Sequence, residues 1–96
     1  MSLETINIDR LGLRPGDKLL DLGCGEGRHS ISAFLQGDIQ VVGLDLSAKD
    51  LATAKGRLAD FNIDADKIDH CFFIQGSGFT LPFADHTFDQ VICSEV

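Results

Sequence analysis

The amino-acid sequence predicts an α/β fold built around a doubly wound parallel sheet. Two observations support this prediction. Short apolar runs of strand length alternate with amphipathic stretches of helical period, and most of the apolar runs lead into glycine, acidic or other polar residues. In a sheet of this kind, ligands bind outside the carboxyl ends of the strands, where the strand order reverses. The loops after the predicted strands are therefore expected to hold the functional residues.

The first half of the chain contains a lead-in helix, a buried strand and an amphipathic helix. The lead-in helix falls within residues 2–11 and ends before Pro15. The strand, Lys18 to Leu22, follows a Pro-Gly-Asp turn and runs directly into a glycine loop. Apolar residues on one helical face favour a helix from Arg28 to Gln36, which Gly37 terminates.

The second half contains a second strand, the best-defined helix and two further strands. The strand Gln40 to Leu44 is β-branched and apolar, and Ser47 then offers an N-cap to a helix with apolar residues every three or four positions. Those apolar residues are Leu51, Ala54, Leu58 and Phe61. A polar loop at 62–69 precedes a third strand at 71–74, and a glycine- and proline-containing loop leads to a fourth at 88–93.

Composition and charge argue against several classes of function. The net charge is −7 and no block of lysine or arginine occurs, so this segment is not expected to bind nucleic acid. The apolar runs are too short for a membrane span and no secretory leader is evident, so we expect a cytoplasmic protein. Three cysteines without metal-ligand spacing predict neither a disulfide framework nor a metal site. Cys71 and Cys93 are expected in the core, and Cys24 in the glycine turn.

The segment from Asp21 to Gly27 reads D-L-G-C-G-E-G. Glycines 23, 25 and 27 remove Cβ atoms where the backbone must turn sharply and where a ligand approaches the main chain, and the next helix offers N–H groups to a carboxylate. The G-x-G-x-G spacing differs from the G-x-G-x-x-G motif of dinucleotide-binding sites. That motif also has no acidic residue two positions before its first glycine, where this sequence has Asp21. The motif therefore favours a cofactor with an ammonium group over one with a pyrophosphate.

Asp45 follows the second strand and is a candidate ribose ligand. A carboxylate accepts hydrogen bonds at both oxygens, so it can bind both hydroxyls of an adenosine ribose. Dinucleotide-binding enzymes also bind a ribose with a carboxylate at this position, so Asp45 does not by itself identify the cofactor. The alternative for Asp45 alone is that it is an acidic residue that precedes the helix capped by Ser47 and binds no ligand.

Three motifs in order resemble those of the class I S-adenosylmethionine-dependent methyltransferases, nearest to the ubiquinone/menaquinone-biosynthesis type. They are L-L-D-L-G-C-G-E-G-R at 19–28, V-G-L-D-L-S at 42–47, and L-P-F at 81–83 with Asp85 and Phe88-Asp89. The resemblance runs from about Pro15 to the last residue. It implies S-adenosyl-L-methionine as cofactor and a Rossmann-like, seven-stranded fold of which about four strands, the N-terminal half, are present.

The resemblance assigns cofactor contacts residue by residue. Asp21 and the backbone around Gly23 and Gly25 would hold the methionine end, Asp45 the ribose, and Leu46 would pack on the adenine. The full set of cofactor-binding candidates is Asp21, Gly23, Cys24, Gly25, Gly27, Asp45, Leu46, Ser77, Gly78 and Ser94.

Ser94 and Ser77 follow the fourth and third predicted strands. Ser94 would lie near the methionine portion through its backbone. Ser77 stands where the resembled family usually has an acidic residue beside the adenine amino group, so this contact would lack charge assistance. Asp89 is expected to fix the start of the fourth strand rather than to act in catalysis.

Three interpretations of function remain from the sequence. The first is a methyltransferase, with this chain supplying the cofactor-binding half. The second is a non-catalytic S-adenosylmethionine-binding module, and the third a nicotinamide-dependent oxidoreductase. No catalytic residue and no methyl acceptor are identified. We expect residues 1–96 to be part of a methyltransferase domain that is incomplete at its C-terminus, with self-association possible through the edge of the fourth strand.

Overall fold

A computed structural model describes residues 8–77 and 87–93, which form one four-stranded sheet with two α-helices. The α-helices and strands are β1 (Lys18–Leu22), α1 (Arg28–Gln36), β2 (Gln40–Asp45), α2 (Ala48–Ala59), β3 (Cys71–Gln75) and β4 (Gln90–Cys93), with short 3-10 helices at Ile8–Leu11 and Ile68–His70. All four strands are parallel, in the order β3-β2-β1-β4. The order reverses after β3, as the doubly wound prediction requires.

The predicted bounds of β1 and α1 are confirmed residue for residue. Strands β2 and β3 are each one residue longer than predicted, because their pairing continues to Asp45 and Gln75. Strand β4 begins two residues later than predicted, where Gln90 pairs with Leu19. Of the predicted lead-in helix, residues 8–11 are described and form a 3-10 helix.

Asp89 fixes the start of β4, as the sequence predicted. Its carboxylate accepts a hydrogen bond from the Lys18 N–H at 2.8 Å, and its own N–H donates to the Lys18 carbonyl at 2.8 Å. This reciprocal pair joins the beginning of β4 to the beginning of β1. In the part of the chain that the structure describes, no helix is long and apolar enough to cross a membrane.

Both described α-helices pack on the same face of the sheet, around the larger of its two hydrophobic clusters. Leu19, Val41 and Phe73 contribute to this core from β1, β2 and β3, and Ile31 and Leu51 from the two helices. This placement follows from the topology, because β1, β2 and β3 follow one another in a single direction across the sheet, and right-handed crossovers then place α1 and α2 on one side.

Two predictions about apolar residues are wrong. Helix α2 ends at Ala59, so Phe61, which was predicted as part of the helix, lies beyond it and is 46% exposed. Cys93 is exposed, because it is two residues from Val91 on the strand and shares the sheet face on which Val91 is 48% exposed. Cys71 is buried in the core, as predicted.

Gly43, in the middle of β2, provides the space that the core needs. A Cβ at this position would lie 2.6 Å from Cδ1 of Phe73 and 2.9 Å from Sγ of Cys24. Real Cβ atoms do not approach other atoms so closely, so the aromatic ring packs directly over the backbone of Gly43. The residue therefore fixes the position of Phe73 beneath the helices.

Replacement of Gly43 by alanine is expected to lower the free energy of unfolding by about 1–3 kcal/mol, because an overpacked core must shift the ring or the strand. Urea unfolding followed by circular dichroism measures the change. Gly56→Ala is the matched control, since a Cβ there meets nothing within 4 Å and alanine is preferred in a helix. The packing argument fails if the two variants are equally destabilised.

Candidate cofactor-binding site

The glycine loop after β1 folds against the end of β2. Gly23, Gly25 and Gly27 have φ values of 66°, 55° and 85°, in the left-handed region that residues with a Cβ avoid. The N–H groups of Gly23 and Cys24 both donate to the Leu44 carbonyl, at 2.8 and 3.1 Å. The sharp turn that the glycine spacing predicted is confirmed, whereas its role in ligand binding stays a prediction.

The carboxylate of Asp45 connects the loops that follow β1 and β2. Its Oδ2 accepts the N–H of Gly25 at 2.8 Å, and its Oδ1 accepts the N–H of Ser47 at 2.9 Å. The backbone carbonyl of the same residue accepts the N–H of Gly76, just after β3, at 2.9 Å. Asp45 therefore holds three strand ends together. Each carboxylate oxygen has a further lone pair, so the group can also accept from a ribose hydroxyl.

Ser47 caps α2 as the sequence predicted. Its hydroxyl accepts the N–H of Asp50 at 3.1 Å, which satisfies one of the unpaired donors of the first turn. Because Asp45 also bonds to the Ser47 N–H, the two interpretations of Asp45 do not exclude each other. Asp45 orders the start of α2, and its role as a ribose ligand stays a prediction.

Asp21 places a buried carboxylate near the carboxyl end of β1. The residue has no exposed surface, and its Oδ2 accepts a 2.6 Å hydrogen bond from the hydroxyl of Ser30 on α1. A buried carboxylate requires hydrogen bonds or a cation to offset its lost hydration. The Ser30 hydroxyl supplies one such hydrogen bond to Asp21.

The negative field of this region also acts on the buried thiols. Burial, followed by the charges of Asp21 and Asp45, raises the pKa of Cys24 to about 12. Burial and the charge of Asp21 raise the pKa of Cys71 to about 12. Both side chains are therefore neutral thiols at ordinary pH. The Cys24 side chain lies in the core, so a cofactor contact at this residue would have to come from its backbone.

Helix α1 begins directly from the glycine loop without a side-chain cap. Its N-cap is Gly27, and the first helical hydrogen bond runs from the Ile31 N–H to the Gly27 carbonyl at 2.9 Å. The N–H groups that precede this bond form an environment that favours anions such as a carboxylate. In the same turn, the buried Nδ1 of His29 has no hydrogen-bond partner in the described part of the chain.

At the end of β3, a side chain links two strand ends. The Nε2 group of Gln75 donates to the Leu46 carbonyl at 3.0 Å, and the Leu46 side chain is 71% exposed. Ser77 lies two residues further on and is half-buried. The bonds made by Gln75 and by Ser30 were missed from the sequence, because no spacing rule relates them to their partners. The available signal for Ser30 was a polar residue beside the apolar stripe of α1.

The structure brings most predicted site residues together at the carboxyl ends of β1, β2 and β3. Gly78 and Ser94 lie outside the described residues, as does the L-P-F motif at 81–83. Within residues 8–77 and 87–93, no three His, Cys, Asp or Glu side chains form a candidate metal site. The observed arrangement therefore combines the Asp45 carboxylate, the buried Asp21 carboxylate and a helix N-terminus without a side-chain cap.

Comparison with known proteins gives concordant matches. A family model described as a methyltransferase domain matches residues 13–96. The 27-O-demethylrifamycin SV methyltransferase of Amycolatopsis mediterranei is 36% identical over 81 residues, which cover 84% of this chain and 28% of that protein. A demethylmenaquinone methyltransferase of Beutenbergia cavernae is 37% identical over 87 residues, covering 91% and 32% respectively.

A solved structure is also similar. It is a SAM-dependent methyltransferase from Thiobacillus denitrificans in complex with S-adenosyl-L-homocysteine, with a TM-score of 0.71 and 27% sequence identity. The match covers 90% of this chain and 33% of that one. The chain thus spans about a third of the length of the proteins it matches.

Iodoacetamide is expected to modify Cys93 in the folded chain and to leave Cys24 and Cys71 unmodified at a pH of about 8. The thiolate is the reactive form. The two buried thiols have a pKa of about 12, so they remain protonated and unreactive at this pH. Mass spectrometry after labelling, with and without urea, tests this. Cys93→Ser should remove the modification of the folded chain, and labelling of Cys24 as fast as that of Cys93 would contradict the assignment.

Proposed function

The chain belongs to the methyltransferase-domain family whose model matches residues 13–96, and we propose that it is the S-adenosylmethionine-binding part of a methyltransferase. The observation that carries the proposal is the convergence of three strand ends on Asp45, through its carboxylate and its backbone carbonyl. That position, outside the carboxyl ends of parallel strands, is where such sheets bind their ligands. Family membership favours this interpretation over the nicotinamide-dependent one.

The residues at this edge fit the chemical groups of the cofactor. S-adenosylmethionine carries an ammonium and a sulfonium, a carboxylate, a ribose diol and an adenine ring. Asp21 is wholly buried, so we expect its charge to favour the ammonium through its electric field rather than by direct contact. The N-terminus of α1, at Gly27, suits the carboxylate, and Asp45 suits the diol.

Bound S-adenosylmethionine supplies a methyl group on a sulfonium that is already activated for transfer. The residues of this chain then have to bind the cofactor and hold it in one orientation, which is the part of methyl transfer that depends on geometry. We assign no catalytic residue. The acceptor also stays unassigned, since the two curated relatives are named for different acceptors, a rifamycin and a demethylmenaquinone.

The extent of the chain's role is part of the same proposal. We propose that residues 1–96 supply the cofactor-binding part of the domain and that acceptor recognition depends on other residues of the protein, as expected for a third of the relatives' length. The cytoplasmic location stays a prediction. Self-association through β4 also stays a prediction, and the half-exposed Val91 supports it.

A non-catalytic S-adenosylmethionine-binding module is the second candidate, because Ser77 stands where the resembled family usually has an acid. Methyl-labelled S-adenosylmethionine distinguishes the two candidates. Label transferred to an added quinol or phenol acceptor, with equimolar S-adenosylhomocysteine formed, identifies an enzyme. Saturable binding without transfer by the full-length protein, across a broad panel of acceptors, supports the binding module.

Calorimetric titration with S-adenosylhomocysteine is expected to give saturable binding, and Asp45→Ala is expected to weaken it at least about tenfold. A charge-assisted hydrogen bond contributes about 1.5–3 kcal/mol, and about 1.4 kcal/mol corresponds to tenfold in affinity. Asp45→Asn retains one acceptor oxygen and should give an intermediate affinity. Circular dichroism confirms that each variant is folded, which matters because Asp45 also binds Gly25 and Ser47.

The control for this experiment is Asp66→Ala, which removes an exposed acid from the loop before β3. It lowers the negative charge equally but lies away from the strand ends, so the affinity should not change. The proposal is overturned if the folded wild-type chain does not bind, or if Asp45→Ala binds as tightly as Asp66→Ala.

A further inference from the structure

A side-chain hydrogen bond between β3 and the residue after β2 has no role in pairing the strands. The backbone register already runs to Asp45 opposite Gln75, and the Gly76 N–H continues it to the Asp45 carbonyl at 2.9 Å. The amide of Gln75 instead donates to the carbonyl of Leu46, the first residue beyond the end of β2, at 3.0 Å. The bond therefore fixes a residue that the sheet itself does not hold.

Leu46 is held on its other side as well. The hydrogen bond from the Ser47 N–H to Oδ1 of Asp45 closes a turn with Leu46 at its centre. Together with the bond from Gln75, this turn fixes the backbone of Leu46 while its side chain remains 71% exposed.

An exposed apolar side chain in this position is unusual for the molecule. The other exposed large apolar side chains of the described part are Leu35, Phe61, Ile68, Phe72 and Val91. They lie on the helix layer, in the segment before β3 or within β3 and β4, whereas Leu46 lies at the carboxyl ends of the strands. Directly beside it is Asp45, the candidate ribose ligand, so a base attached to that ribose can reach Leu46.

We propose that Gln75 is a positioning residue that holds Leu46 in place as an apolar wall for the purine ring of the bound cofactor. This inference rests on the proposed function. A wall that is fixed before the ligand arrives does not have to be ordered during binding, and this raises the affinity. Gln75 acts through the Leu46 backbone, and the Leu46 side chain makes the contact with the base.

Two substitutions at position 75 test the role of the amide donor. Gln75→Ala removes it, and Gln75→Glu keeps the size of the side chain but replaces the donor with an acceptor that faces a carbonyl. Calorimetry with S-adenosylhomocysteine should show affinity about two- to tenfold lower for the alanine variant, the range of one neutral hydrogen bond, and at least as low for the glutamate variant.

The matched control is Gln36→Ala. Gln36 is also an exposed glutamine whose Nε2 makes a side-chain hydrogen bond, to the Ser32 hydroxyl at 2.8 Å, but it lies at the far end of α1. Its replacement should leave the affinity for S-adenosylhomocysteine unchanged. Thermal unfolding of all three variants reports any loss of fold stability separately.

A double-mutant cycle with Leu46→Ala separates positioning from general stabilisation. If Gln75 acts by placing the Leu46 side chain, Gln75→Ala should have no further effect on affinity once that side chain is removed. If the bond merely stabilises the fold, the two losses should add, and the midpoint of thermal unfolding should fall with the affinity. Additive losses therefore overturn the inference.

The remaining outcomes distinguish this inference from the proposed function. Binding by the wild-type chain that is unchanged in Gln75→Ala and Gln75→Glu overturns the role of Gln75 and leaves the cofactor site in place. Absence of binding by the folded wild-type chain overturns the proposed function and the role of Gln75 together.

Discussion

The hydrogen bonds accepted by Asp45 hold the candidate site together. Its carboxylate joins the glycine loop after β1 to the start of α2, and its carbonyl joins the same point to the residue after β3. Parallel strands leave their carboxyl ends at one edge of the sheet but do not by themselves fix the loops that follow. The side chain and the backbone carbonyl of Asp45 fix these loops here, and Gln75 adds a hydrogen bond to Leu46.

The core beneath this edge of the sheet is closely packed at two glycines. Gly43 lets the ring of Phe73 lie against the backbone of β2, and Gly27 lets α2 approach the beginning of α1, where an added Cβ would lie 2.8 Å from Cβ of Ala54. The buried carboxylate of Asp21 sits in the same layer and bonds to Ser30. The motif glycines therefore serve two purposes, since they shape the loop and also let the helices pack closely on the sheet.

The proposed function separates cofactor binding from acceptor recognition. A cofactor that brings its own activated methyl group requires a site that binds and orients it, and such a site can be built from the ends of three strands. Acceptor recognition is a separate task. Two relatives of nearly equal similarity to this chain are named for chemically different acceptors, so the features shared here are expected to concern the cofactor.

The sequence by itself determined the order of elements, the bounds of β1 and α1, the Ser47 cap and the tight glycine turn, because periodicity, capping and turn chemistry act between residues close in the chain. Only the tertiary structure decided that Cys93 and Phe61 are exposed, that Asp21 is wholly buried against Ser30, and that Gln75 reaches Leu46. These outcomes depend on which elements become neighbours in the sheet, and they link residues whose separation in the chain follows no local rule.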